Sequence, residues 1–151
     1  MAIEEIEKYI GKKLPQVYKD LVLNIDDFEY IDGLSSIRSR SKVPWFFWGI
    51  ERLEEVVVVE GASNRKAWNV LASFGEIDKK YRKRSSIPSG STAITFDHLN
   101  KAVVIAEENG DYLYFDSLND FSLWMYFHDS GEVQKVAETF DEWLRSAERD
   151  S

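Results

Sequence analysis

Helical periodicity at both ends of the chain, with a run of antiparallel strands between, predicts a mixed fold of helices packed on a sheet. Three observations carry this. In "AVVIAEENGDYLYFD", Asn109-Gly110 joins two β-rich arms into the hairpin Val103–Asp116. Asn-Gly suits a two-residue type I′ turn, because both central residues need positive φ. Near the start, Ile3, Ile6 and Ile10 recur at helical spacing. Near the end, Val133, Val136, Ala137, Phe140, Trp143, Leu144 and Ala147 fall on one stripe, which predicts a long C-terminal helix.

Residues 2–11 form the first predicted helix, with Glu4, Glu5 and Glu7 outward and Gly11 as its C-cap. Leu14-Pro15 opens a second, with Val17, Tyr18, Leu21, Val22 and Ile25 as its apolar stripe and Asp26-Asp27 as its end. Phe28–Ile31 reads as a short strand and Leu34–Val43 as a polar, basic loop. Trp45–Ile50 is a strand with aromatics on both sides. Either both sides are buried, or one is a contact platform. Glu51–Glu60 reads as a helical turn followed by a strand. Residues 65–80 read as helical, with Trp68, Leu71, Ala72 and Phe74 inside. Lys79–Gly90 has the composition of a mobile loop.

Thr92–Asp97, Ala102–Glu107 and Asp111–Asp116 read as the next strands. The two-residue turn pairs Glu107 with Tyr112, Ala106 with Leu113, Ile105 with Tyr114 and Val104 with Phe115. Val104, Ala106, Leu113 and Phe115 then form a purely apolar core face. The opposite face carries Val103, Ile105, Tyr112 and Tyr114, rimmed by Glu107 and Asp116, and suits a wet boundary. Leu123–His128 alternates as a strand would, with Trp124, Tyr126 and His128 on one side; a helix also fits there.

The chain has 151 residues, one domain's worth, with no cysteine. Disulfides and thiolate metal sites are excluded. The acidic start and the lack of a long apolar run predict a cytoplasmic protein without a membrane span. A net charge of −8 argues against general affinity for nucleic acid or anionic membrane and suits a basic protein partner. Eight of the 19 basic residues fall within Arg38–Lys42 and Lys79–Arg84, so the rest of the surface is more acidic than the total.

Catalytic signatures are sparse. The two histidines, His98 and His128, each stand beside an aspartate, but adjacent residues project to different sides. The chain has no HExxH, no phosphate-binding glycine loop and no nucleophile elbow. No cofactor or metal is expected. Glu107, Glu108, Asp111 and Asp116 concentrate acid around one hairpin, where Glu108 opposite Asp111 is a like-charge pair that a cationic partner can relieve.

The order of these elements resembles the SUKH superfamily, in particular its Smi/Knr-type branch. The resemblance rests on Leu14-Pro15 followed by Tyr18, on Gly110-Asp111 in the hairpin, and on His128-Asp129 followed by Ala137, Phe140 and Leu144. It lies mainly at the two ends; residues 34–90 depart from the pattern. The resemblance implies an α+β fold, a mostly antiparallel sheet wrapped by helices, in a single domain over 1–151. It also implies a non-enzymatic role. Bacterial members resemble immunity proteins that block a toxin domain, often a nuclease or deaminase, and fungal members resemble regulators of cell-wall synthesis. The partner-binding residues expected on that basis are Tyr112, Tyr114 and Trp124, ringed by Glu107, Asp111 and Asp116, facing a basic cognate toxin. A small-ligand or glycan site at Trp45 and Trp48 is a further alternative.

Overall fold

A computed structural model describes residues 1–38 and 40–149. Ser39, inside the loop expected at Leu34–Val43, and the last two residues lie outside the described residues. Helix α1 (Ala2–Ile10) buries Ile3, Ile6 and Ile10 and ends at Gly11, whose φ of 72° is the left-handed conformation expected of that cap. Helix α2 (Gln16–Leu23) starts directly after Pro15 and buries Tyr18, Leu21 and Val22. Glu7 ties the two together. Its Oε2 accepts from the Leu14 backbone N–H at 2.8 Å and lies 3.2 Å from Lys19 Nζ.

Strands β1 (Phe28–Leu34) and β2 (Lys42–Trp48) pair antiparallel along their whole length. Helix α3 (Ile50–Glu54) and the short ladder β3 (Val56–Val57) with β4 (Arg65–Lys66) follow. A 3-10 turn at Ala67–Asn69 leads into α4 (Val70–Ile77), and a π-helical turn spans Asp78–Arg82. Next come β5 (Ile87–Ser89), β6 (Thr92–Ile94) and α5 (Phe96–Asn100). Strands β7 (Ala102–Glu108), β8 (Asp111–Asp116), β9 (Ser122–Tyr126) and β10 (Val133–Ala137) then run as a meander. Helix α6 (Phe140–Ser146) and β11 (Glu148–Arg149) close the chain.

The main sheet has seven strands in the order β10-β9-β8-β7-β2-β1-β11, antiparallel throughout. It curls. The loop after β1 reaches β10, five places away in that order, where Ile37 N–H donates to Lys135 O at 3.0 Å and Gln134 Nε2 to Ser35 O at 2.6 Å. One face packs on α2 and α6. Tyr18 meets Phe115 and Phe140 edge-on, at 5.2 and 5.7 Å between ring centroids, and Trp143 lies 5.5 Å from Phe47. The other face packs on α3 and α4. Phe74 lies over Tyr112 and Tyr126 at 5.8 and 5.7 Å.

Four expectations are corrected. The long C-terminal helix is instead β10, α6 and β11. A bulge between Lys135 and Ala137 explains the misreading. One extra residue in a strand places the buried positions at 133, 136 and 137, the spacing of a helix face. Thr139 then starts α6 by accepting from the Glu142 N–H at 3.1 Å, a Thr-x-x-Glu signal present in the sequence. A second bulge sits at Ile105. Glu107↔Tyr112 and Ala106↔Leu113 pair as expected, but beyond the bulge Val104 opposes Tyr114 and Val103 opposes Phe115. Thr92–Asp97 is not a strand of the main sheet: β6 forms a small hairpin with β5, and Phe96 starts α5. Lys79–Gly90 is structured through its π turn and β5.

Candidate protein-binding surface

The six residues expected to meet a partner separate into two groups. Tyr114 and Asp116 are fully buried, and Trp124 is 8% exposed. These three form no part of an accessible face, which corrects the expectation placed on them. Burial pushes the Tyr114 hydroxyl well above its ordinary pKa. Trp124 Nε1 donates to Ser122 Oγ at 2.8 Å. Asp116 accepts from the Leu118 N–H at 3.1 Å and lies 2.6 Å from His98 Nδ1, so it serves the fold. The physical reason is the second helical layer: with α4 on the tyrosine-bearing face, both faces of β8 and β9 become interior. Tyr112, Glu107 and Asp111 remain partly exposed at the hairpin end of the sheet.

The register shows where that face re-emerges. Tyr30, Phe46, Glu107, Tyr112 and Tyr126 are successive cross-strand partners over β1, β2, β7, β8 and β9. Directly opposed residues point to the same face, so they form one row. Phe74 covers its Tyr112–Tyr126 end, and the Tyr30 end stays open. There Phe28 and Tyr30 are 51% and 45% exposed. Phe28 stacks on Phe46 at 4.7 Å, and Tyr30 meets Phe46 edge-on at 5.2 Å. Beside them lies an open cleft of about 460 Å³, lined by Tyr30, Pro44, Phe46 and the hairpin residues Glu107, Glu108, Asn109 and Gly110.

The hairpin tip is a tight turn with φ of 50° at Asn109 and 88° at Gly110, as the Asn-Gly pair predicts. Its acids differ in their surroundings. Asp111 accepts from the His128 backbone N–H at 3.0 Å and lies 2.7 Å from its Nδ1. This hydrogen bond, with the Asp129 charge, raises the His128 pKa above its usual value. Glu108 accepts from Asn109 Nδ2 at 2.8 Å. Among the described residues, no hydrogen bond or ion pair engages the Glu107 carboxylate. Burial and then the Glu107 charge raise the Tyr112 hydroxyl's pKa.

The basic run is held in place by its contacts. The Asp78 carboxylate, 1% exposed, lies 3.1 Å from Arg82 Nη1 and 3.4 Å from Arg84 Nη1. The same arginines donate to the carbonyls of Asp129 and Ser130, at 3.1 and 2.8 Å. Lys79 lies 4.7 Å over the Phe96 ring. Composition alone gives a solvated loop here; a buried counter-charge makes it a packed corner. Trp45 and Trp48 are buried, which removes the small-ligand reading built on them. Among the described residues, no group of three or more His, Asp or Glu side chains is placed to hold a metal. No helix among them is long and apolar enough to cross a membrane.

Phe28 and Tyr30 are not among the residues the sequence marks for a partner, and Phe46 is marked only through the contact-platform alternative for Trp45–Ile50. The available signal was the alternation in "FEYID", which sends Phe28, Tyr30 and Asp32 to one side of a strand. Phe46 is the half-buried member of the four-aromatic run, since Trp45 and Phe47 face α6 and Trp48 lies under the Arg52 guanidinium at 4.8 Å.

A curled antiparallel sheet with helices on both faces, open at one aromatic corner, defines an α+β domain. The model of the SMI1 / KNR4 family (SUKH-1) matches residues 1–146, and the chain belongs to that family. The match includes residues 34–90 as well as the two ends. No curated protein and no solved structure matches the chain significantly.

Proposed function

We propose that this chain is a non-catalytic protein-binding domain that neutralises a cognate toxin of basic surface, nuclease or deaminase in type, by covering its active site. The observation that supports this most is the aromatic corner formed by Phe28, Tyr30 and Phe46, beside the unpaired carboxylate of Glu107. Large rings anchor an interface, and a rim of one charge speeds encounter with the opposite charge. Family membership and the acidic net charge of −8 point the same way. Of the residues expected from the sequence, Tyr112, Glu107 and Asp111 stay in this reading, and Phe28, Tyr30 and Phe46 join them.

Co-expression with the protein encoded by the neighbouring gene tests it. Survival with this chain and killing without it is the expected result; equal killing in both removes the reading. The family match is equally consistent with a regulatory scaffold of the cell-wall-synthesis type. A pull-down that yields many unrelated partners and no toxin favours that second reading.

A further inference from the structure

We propose that the cleft between the aromatic corner and the hairpin tip receives an arginine side chain of a protein partner. The proposal rests on the protein-binding reading above and names the chemistry of its contact. Tyr30, Phe46 and Pro44 line the apolar part of the cleft, and Glu107 and Glu108 bring acid to its hairpin end. Phe46 and Glu107 are direct cross-strand partners, so ring and carboxylate stand side by side on one face. A guanidinium is planar and weakly hydrated; it stacks on aromatic rings while its edge donates to a carboxylate. A lysine ammonium offers charge without the flat stacking surface.

The chain already makes this contact once within itself. The Arg52 guanidinium lies 4.8 Å over the Trp48 ring and 2.6 Å from Glu55. Trp48 is two residues along β2 from Phe46, on the same face. At the cleft, the rings and the acid are present, and no cation among the described residues is paired with Glu107 or Glu108. The net charge of −8 adds a field that favours a cationic visitor.

The test is an amide NMR titration of the full chain with N-acetyl-arginine amide, its lysine analogue and the neutral citrulline analogue. The expected result is saturable shifts at Tyr30, Phe46 and residues 107–110 in the millimolar range with the arginine probe. Lysine should respond more weakly and citrulline not at all. Glu107→Gln, a change that keeps shape, should weaken binding about threefold, and so should Tyr30→Ala, at an exposed site. Raised salt should weaken the response. No saturable shift, shifts centred elsewhere, or an equal response to lysine or citrulline overturns the proposal. Protection from the toxin without any arginine shift removes this slot alone; an arginine shift without protection removes the toxin reading and leaves the slot.

Discussion

Phe28 and Phe46 stack with ring centroids 4.7 Å apart and planes 17° apart, although half of the Phe28 surface stays in water. A fold seldom needs stacked rings at its surface, so the pair separates stability from recognition. Phe28→Ala and Tyr30→Ala should each change unfolding stability by about 1 kcal/mol or less. The same changes should weaken binding to the proposed protein partner by about 2 kcal/mol, roughly thirtyfold in Kd. Urea unfolding beside calorimetric titration measures both. Unchanged affinity in both variants would move the interface away from this corner.

Gly33 sits under the Trp143 indole, and a Cβ built there overlaps the ring. Trp143 is fully packed and its Nε1 donates to the Leu34 carbonyl at 2.9 Å. Neither side has room to move without parting α6 from β1. Gly33→Ala should therefore destabilise the chain by about 2 kcal/mol or more. A denaturation midpoint equal to that of the parent chain would contradict this packing of α6.

Asp78→Asn keeps the side chain's shape and removes the charge held between Arg82 and Arg84. Removing one partner of a buried ion pair leaves the other uncompensated. Both arginines are partly exposed, which moderates the effect to about 2 kcal/mol. Hydrogen exchange should quicken around residues 128–131, where both arginines bind carbonyls, and remain unchanged in α1. Equal exchange everywhere would mean the corner holds without its carboxylate.

His128 has a pKa raised above its ordinary 6.5, first by its hydrogen bond to Asp111 and then by the Asp129 charge. The sign follows. The folded chain holds this proton more tightly than the unfolded one, so the contribution is complete below pH 6.5 and fades as pH rises through the folded pKa. The side chain is 43% exposed, so the effect on stability is small. An NMR titration of the ring protons should give a midpoint above that of a free histidine, and Asp111→Asn should lower it. A midpoint that Asp111→Asn leaves in place would dissociate the histidine from the hairpin.

Much of the local structure was legible. The cap at Gly11, the helix opening after Pro15 and the Asn109-Gly110 turn each depend on residues adjacent in the chain. Two elements that differ from their sequence pattern carry a bulge. At Ile105 the inserted residue exchanged the faces of Val103 and Val104, and in β10 it copied the spacing of a helix. A bulge is set by what packs on either side of the strand, and no residue nearby in sequence announces it.

The sequence by itself determined the α+β composition, the hairpin, the acidic character and the kinship of the chain, because these follow from neighbouring residues and their order. Which aromatic rings meet water was decided only by the tertiary structure. Tyr112 and Tyr30 lie in one cross-strand row, yet α4 packs on the first, leaving it only partly exposed, and stops short of the second. Burial of a strand residue depends on a helix placed by contacts far away along the chain. Alternation within the strand shows which residues share a face, and the packing of a distant element settles whether that face is core or surface.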